Sequence, residues 1–180
     1  MPSKPTATTH AAIRRRRLTP DPGAAKTGTE PRPPQEQIMA ASPSHWLVKS
    51  EPAKYAFADL VRDGRTVWDG VRNNQAAIYL RAMRVGDQVF YYHSQEGLEV
   101  VGIAEVVREA FPDPSDAGGR FVAVELAPVR PLPRPVTLAR IKATPALANM
   151  TMLRLFRLSV TPITADEWAT IRAMAGDAED

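Results

Sequence analysis

Val89 to His93 is a run of β-prone residues, Val100 to Val107 is a second, and a turn around Gln95-Glu96-Gly97 separates them. β-Branched and aromatic side chains suit a pleated surface, so two such runs around a short polar break predict an antiparallel hairpin. The hairpin commits the chain to a sheet, and neighbouring segments must be read as its partners. Trp46 to Lys49 is a further strand, ended by Ser50-Glu51-Pro52, because the residue before proline is held extended and proline cannot serve an inner ladder. Phe121 to Val129 alternates, with Phe121, Ala123 and Glu125 on one face and Val122, Val124 and Leu126 on the other, which predicts a half-buried third sheet strand. Leu158 to Val160 adds a closing strand. Pro128, Pro131, Pro133 and Pro135 make their stretch an extended connection or an edge, not a central strand.

Helical spacing fills the gaps. Phe57, Leu60 and Val61 predict a short helix closed by Gly64. Arg65 to Asn73 reads as an irregular loop carrying Trp68 and Gly70. Asn73 or Asn74 then caps a helix whose apolar residues are Ala77, Ile78, Leu80 and Met83, ended at Gly86-Asp87. Phe111 to Gly119 is a loop rich in Pro, Asp and Gly. Leu138 to Ile141 and Ala146 to Phe156 alternate helix and loop, with Leu147, Met150, Leu153 and Leu155 packing inward. Thr164 and Glu167 have capping-box spacing ahead of a last helix lined by Trp168, Ile171 and Met174, with Trp168 in the core. Asp177, Glu179 and Asp180 read as a solvated end.

With 180 residues and 44% hydrophobic content, the chain suits one domain plus an appendage. No run of some eighteen apolar residues exists and no secretory signal is evident, so the expectation is a cytoplasmic protein, nuclear in a eukaryote, with no membrane partner. The absence of Cys excludes disulfides and thiol chemistry, and three scattered His give no metal-ligand spacing, so neither cofactor nor metal is expected. The sequence pI is about 9.4 and the net charge +3. Residues 1 to 44 hold seven basic and three acidic side chains, or +4, which leaves −1 for the remainder. The high pI is therefore no footprint of nucleic acid on the domain as a whole. That first segment, rich in Pro, Thr and Ala without periodicity, is expected to be a disordered basic tail. Its Arg14 to Arg17 run is open to four readings: a phosphate-gripping arm, a targeting patch, a solvated basic tail, or non-native sequence ahead of a true start at Met39.

Three polar-aromatic segments carry the chemistry: His45-Trp46-Leu47-Val48-Lys49-Ser50-Glu51-Pro52, Trp68-Asp69-Gly70-Val71-Arg72-Asn73-Asn74-Gln75 and Tyr91-Tyr92-His93-Ser94. Two Trp beside chargeable and amide groups fit a pocket for a flat, polar, partly aromatic ligand. Trp68 can stack on such a ligand, and Gly70 permits close backbone approach. Asp69, Asn73, Ser50 and Ser94 can read a polar edge, although Asn73 also fits a helix cap and Asp69 a turn. Lys49 and Arg72 can meet a phosphate or carbonyl, with Glu51 paired to either, or all three can form a structural ion-pair network. Trp46 leans toward the core, Tyr92 fits pocket or core, and His93 reads as a hydrogen-bonded structural residue.

In order and spacing these segments resemble the signature of the EVE domain family, from about His45 to about Gly176. The resemblance implies an α+β fold, a PUA-like mixed β-barrel with short peripheral helices, and a binding module that reads modified nucleobases. On that footing the candidate ligand residues are Lys49, Ser50, Glu51, Trp68, Asp69, Gly70, Val71, Arg72, Asn73, Tyr92 and Ser94, with Arg81 and Arg84 as phosphate contacts. The expected partner is DNA or RNA carrying an altered cytosine or adenine, flipped into the pocket of a monomer. Two rivals stand beside it. One is hydrolysis of acylated cytosine nucleosides, as in ASCH-type PUA-like relatives, with Lys49 and Glu51 as base and acid and Ser50 as nucleophile. The other is an RNA or protein adaptor with a vestigial pocket.

Overall fold

The computed structural model describes residues 44–177, so residues 1–43 of the expected tail lie outside them. Ser44 belongs to the domain rather than to the tail. Its amide donates to Asp87 Oδ1 at 2.9 Å, and its carbonyl accepts from the Gln88 amide.

Six strands form one mixed sheet: β1 His45–Ser50, β2 Thr66–Trp68, β3 Gln88–His93, β4 Glu99–Pro112, β5 Val122–Thr137 and β6 Val160–Ile163. Their spatial order is β2-β5-β4-β3-β1-β6. β1 and β3 pair in parallel, and the remaining pairs are antiparallel. The expected hairpin is β3–β4. The expected barrel is not closed, because β2 and β6 are two unpaired edges, and the segment expected to close it pairs only with β1.

A parallel pair needs a long crossover. Between β1 and β3 that crossover carries helix α1 Phe57–Asp63, β2 and helix α2 Asn74–Ala82. As a parallel pair, β1 and β3 are buried on both faces. Leu47, Phe90 and Tyr92 enter one core, while Trp46, Val48, Val89 and Tyr91 enter the other. The first core is covered by helices α3 Leu138–Ala143, α4 Thr151–Arg154 and α5 Ala165–Ala175, with Trp168 stacked on Phe90 at 3.8 Å between centroids. The second is covered by α1 and α2 through Phe57, Leu60, Ala76 and Leu80. Each large apolar side chain so buried contributes about 1.5–3 kcal/mol. Gly102 on β4 has no alternative, since a methyl group there would collide with the Phe57 ring.

Caps behave as the sequence predicts. Gly64 ends α1 in the left-handed region at φ 75°, Asn73 accepts from the Ala76 amide, and Thr164 with Glu167 closes a capping box on α5. Several expectations are corrected. Residues 66–68 form a strand within the expected loop, pairing with β5. β5 runs through the proline stretch as a strand, yet β2 covers only Val124 to Leu126, so the prolines lie on a half with β4 alone beside it. There the missing N–H groups cost little, and the ladder is broken by register shifts. Near the start of β5, Ala123 and Val124 are both buried, so that strand is not half exposed there. Ile78 is 55% exposed because Ala76, Leu80 and Met83 define the inner face of α2. Leu155 also faces out, beyond the end of α4. Asp177 is buried rather than solvated. Gly176, at φ 71°, turns the chain back, and the carboxylate accepts from Arg130 at 2.8 and 2.9 Å and from Arg172 at 2.7 Å.

Candidate functional site

A cleft of about 950 Å³ opens where β1 and β3 end. It is lined by Thr66 to Trp68 of the edge strand β2 and by Arg157 to Ser159, which lead into the other edge strand, β6. The strands at the two ends of the sheet order thus lead to one cleft, the seam, and no strand pairing joins β2 to β6.

The β2 side is built outward from the core. Tyr91 presents its face or edge to two rings, with Phe57 at 5.4 Å and Trp68 at 5.6 Å, both in T-shaped contact. Trp68 is thus fixed by a buried tyrosine while remaining half-exposed in the cleft. After Trp68 the ladder ends, and Asp113 takes over. Its carboxylate accepts from the Gly70 amide at 2.9 Å, from Arg72 Nη1 at 2.7 Å, and from the amide and hydroxyl of Ser115 at 2.7 and 2.6 Å. Burial alone would raise the Asp113 pKa, but the hydrogen bonds from Ser115, Arg72 and Gly70 prevail and hold it down at about 2. Gly70 sits at φ 72°, which any side chain would strain. Val71 is buried beneath it, and Arg72 lies over the Phe121 ring at 5.4 Å.

The β1 side is braced differently. Ser50 Oγ and the Tyr91 hydroxyl both donate to the Tyr55 carbonyl, at 2.7 and 2.8 Å. The Ser94 amide donates to the Ser50 carbonyl at 2.8 Å, tying the two strand ends. Lys49 Nζ donates to the Phe156 carbonyl at 2.8 Å, and burial lowers its pKa. Tyr92 is buried, and its hydroxyl has no hydrogen-bond partner among the described residues; burial, then the nearby Glu99 charge, push its pKa up to about 12.

Of the eleven residues that the sequence nominates for the ligand, Lys49, Ser50, Glu51, Trp68, Asp69, Gly70, Val71, Arg72, Tyr92 and Ser94 all line this cleft. Asn73 does not, and acts as the cap of α2. The expected charge network divides, with Glu51 paired to Lys54 at 2.9 Å and Arg72 to Asp113. Arg81 and Arg84 lie off the cleft and donate to carbonyls, Arg81 to that of Arg120 and Arg84 to those of Arg81 and Met83. His93 accepts from the Phe57 amide at 3.1 Å, and Trp46 donates to Asp87 at 2.8 Å, so both are structural. Tyr55, Leu98 and Phe156 were missed as lining residues. Leu98 and Phe156 are exposed large hydrophobic residues, but a single Phe at the end of a mixed helix-loop stretch carries no sequence signal of a rim. Among the described residues no group of three or more His, Asp or Glu is arranged to hold a metal ion.

An open α+β sheet whose seam holds an aromatic-polar cleft defines a PUA-like domain. Residues 44–174 match the EVE domain model, and the chain belongs to that family. Human thymocyte nuclear protein 1 is 35% identical, the match covering 69% of this chain and 71% of the human protein. A Rhodopseudomonas palustris protein solved by NMR is 50% identical, with a TM-score of 0.73, covering 76% of this chain and 96% of that one. The structure of human THYN1 in complex with 5-methylcytosine containing DNA is 32% identical, with a TM-score of 0.69, covering 76% and 99%.

Proposed function

We propose that this domain reads a modified base in DNA, with 5-methylcytosine the first candidate, by receiving the flipped base in the seam cleft without transforming it. The observation that carries the reading is Trp68, held half-exposed by Tyr91 in a cleft whose lining also includes Tyr92, a buried side chain with no hydrogen-bond partner for its hydroxyl among the described residues. An unsatisfied buried donor costs about 1–3 kcal/mol, which a ligand's acceptor would restore. The human relative bound to 5-methylcytosine containing DNA supports the choice of partner. In this reading the base stacks on Trp68, Asp69 accepts from its exocyclic amino group, and Ser94 and the Tyr92 hydroxyl meet the remaining edge. Ser50 has a lesser role, because its hydroxyl is engaged with Tyr55. Arg81, Arg84 and Arg120, which lie off the cleft with Arg81 bonded to the Arg120 carbonyl and Arg84 to the Arg81 carbonyl, provide the salt-dependent grip on flanking phosphates in this reading.

The geometry gives the hydrolytic alternative little to work with. Ser50 donates to a carbonyl, Lys49 donates to another, and Glu51 is paired with Lys54, so no proton relay joins the three.

Fluorescence anisotropy with duplexes carrying 5-methylcytosine, methylated adenine or no modification, at two salt concentrations, tests the proposal. Wild type is expected to prefer a modified duplex, and Trp68→Ala to lose about tenfold or more in that preference while retaining cooperative unfolding. Equal affinity for modified and unmodified duplexes would sink it.

A further inference from the structure

Phe156 is 59% exposed and lines the same cleft as Trp68. Leaving a phenyl ring in water forgoes its burial, so an exposed aromatic at the mouth of a cleft marks a contact surface. Its presentation is not casual. The Leu155 amide donates to the Thr151 carbonyl at 2.8 Å and the Leu158 amide to the Leu155 carbonyl at 2.9 Å, forming a tight turn with Phe156 at its tip. The Lys49 amide donates to the Ser159 carbonyl at 2.8 Å and fastens the end of that turn to β1. The Lys49 side chain then holds the tip itself. Nζ donates to the Phe156 carbonyl at 2.8 Å and lies 4.9 Å from the phenyl centroid. Among the described residues Lys49 has no carboxylate within ion-pair distance, so its charge is met by the Phe156 carbonyl and ring and, farther off at 5.9 Å, by the Tyr92 ring.

We infer that the cleft is a two-sided aromatic clamp, with Phe156 as the wall facing Trp68 and Lys49 as the strut that positions it. The inference rests on the base-reading proposal and extends it. Trp68 comes from one edge of the sheet and Phe156 from the approach to the other, so a planar ring entering the seam meets an aromatic face on each side. The guest is accordingly a flat, unsaturated heterocycle, stacked on both faces and read at its edge. Lys49 is a positioning residue here, not a phosphate contact.

Titrations of the full chain with a 5-methylcytosine duplex and its unmodified counterpart separate the possibilities. Phe156→Ala should lose about tenfold in affinity for the methylated duplex, and Phe156→Tyr should restore it, with a thermal midpoint close to wild type for both. Lys49→Met should weaken binding by several-fold while leaving the dependence of log K on log salt unchanged. A slope smaller by about 0.9 would make Lys49 a phosphate contact and overturn the strut. Wild-type affinity in Phe156→Ala would overturn the clamp alone, whereas a wild type indifferent to methylation would overturn the base-reading proposal and the clamp together.

Discussion

Asp87 and Asp113 are comparably buried, 5% and 3% exposed, and each gathers several donors, yet they support different kinds of structure. Asp87 accepts from the Ser44 amide, Trp46 Nε1 and the Arg84 amide. These lie at the start of β1 and in the approach to β3, where the sheet ladder already fixes the backbone. Asp113 instead accepts from the Gly70 amide and the Arg72 guanidinium, in a segment that has left the ladder after Trp68. Its carboxylate does the work that strand pairing does elsewhere. The contrast teaches where function is exposed to mutation: loss of Asp87 should be felt by the fold, and loss of Asp113 by the cleft.

The largest effect should come from Asp87→Ala, which strands three donors and should cost about 3 kcal/mol in urea unfolding, with base preference per folded molecule unchanged. Lost preference in the folded fraction would break the distinction. Asp113→Asn should cost less stability, about 1–2 kcal/mol, but should reduce the preference for modified DNA, because Gly70 and Arg72 lose their anchor. Its pH signature sharpens the point. The folded pKa of about 2 lies below the ordinary carboxylate value of 3.8, so the Asp113 contribution is complete above about pH 4 and fades as pH falls toward 2. Asp177, held low first by Arg130 and then by Arg172 against its burial, fades in the same direction. Acid titration should therefore destabilise wild type more steeply than Asp113→Asn across that window; identical slopes would deny Asp113 its role. The smallest effect belongs to Asn73→Ala, about 1 kcal/mol from the lost cap of α2, read as a lower thermal midpoint without a change in base preference. A changed preference would bring the Asn73 amide back into the site.

Local rules carried much of this structure in the sequence. The β3–β4 hairpin, the caps at Gly64, Asn73 and Thr164, and the buried Trp46 and Trp168 all follow from neighbours a few residues away. The site segments were legible as polar-aromatic composition together with family resemblance, and ten of the nominated positions line one cleft. What escaped depended on partners distant in the chain. β2 has only three residues, too few for a period, and exists because β5 pairs with it. Asp113 meets Arg72 across 41 residues, and Asp177 meets Arg130 across 47, so neither carboxylate advertised its burial. The proline stretch was legible as an edge, and it forms the half of a long strand that has β4 alone beside it.

The unclosed sheet separates what keeps the domain folded from what sets the width of its mouth. Backbone hydrogen bonds hold the frame and carry both lips, whereas the rings at the lips are positioned by side chains, Trp68 by Tyr91 and Phe156 by Lys49. If the proposed reading holds, exchanges at the lips would retune which guest is admitted while the hydrogen-bonded frame stays as it is. A scaffold of this kind can change its reading without relearning how to fold.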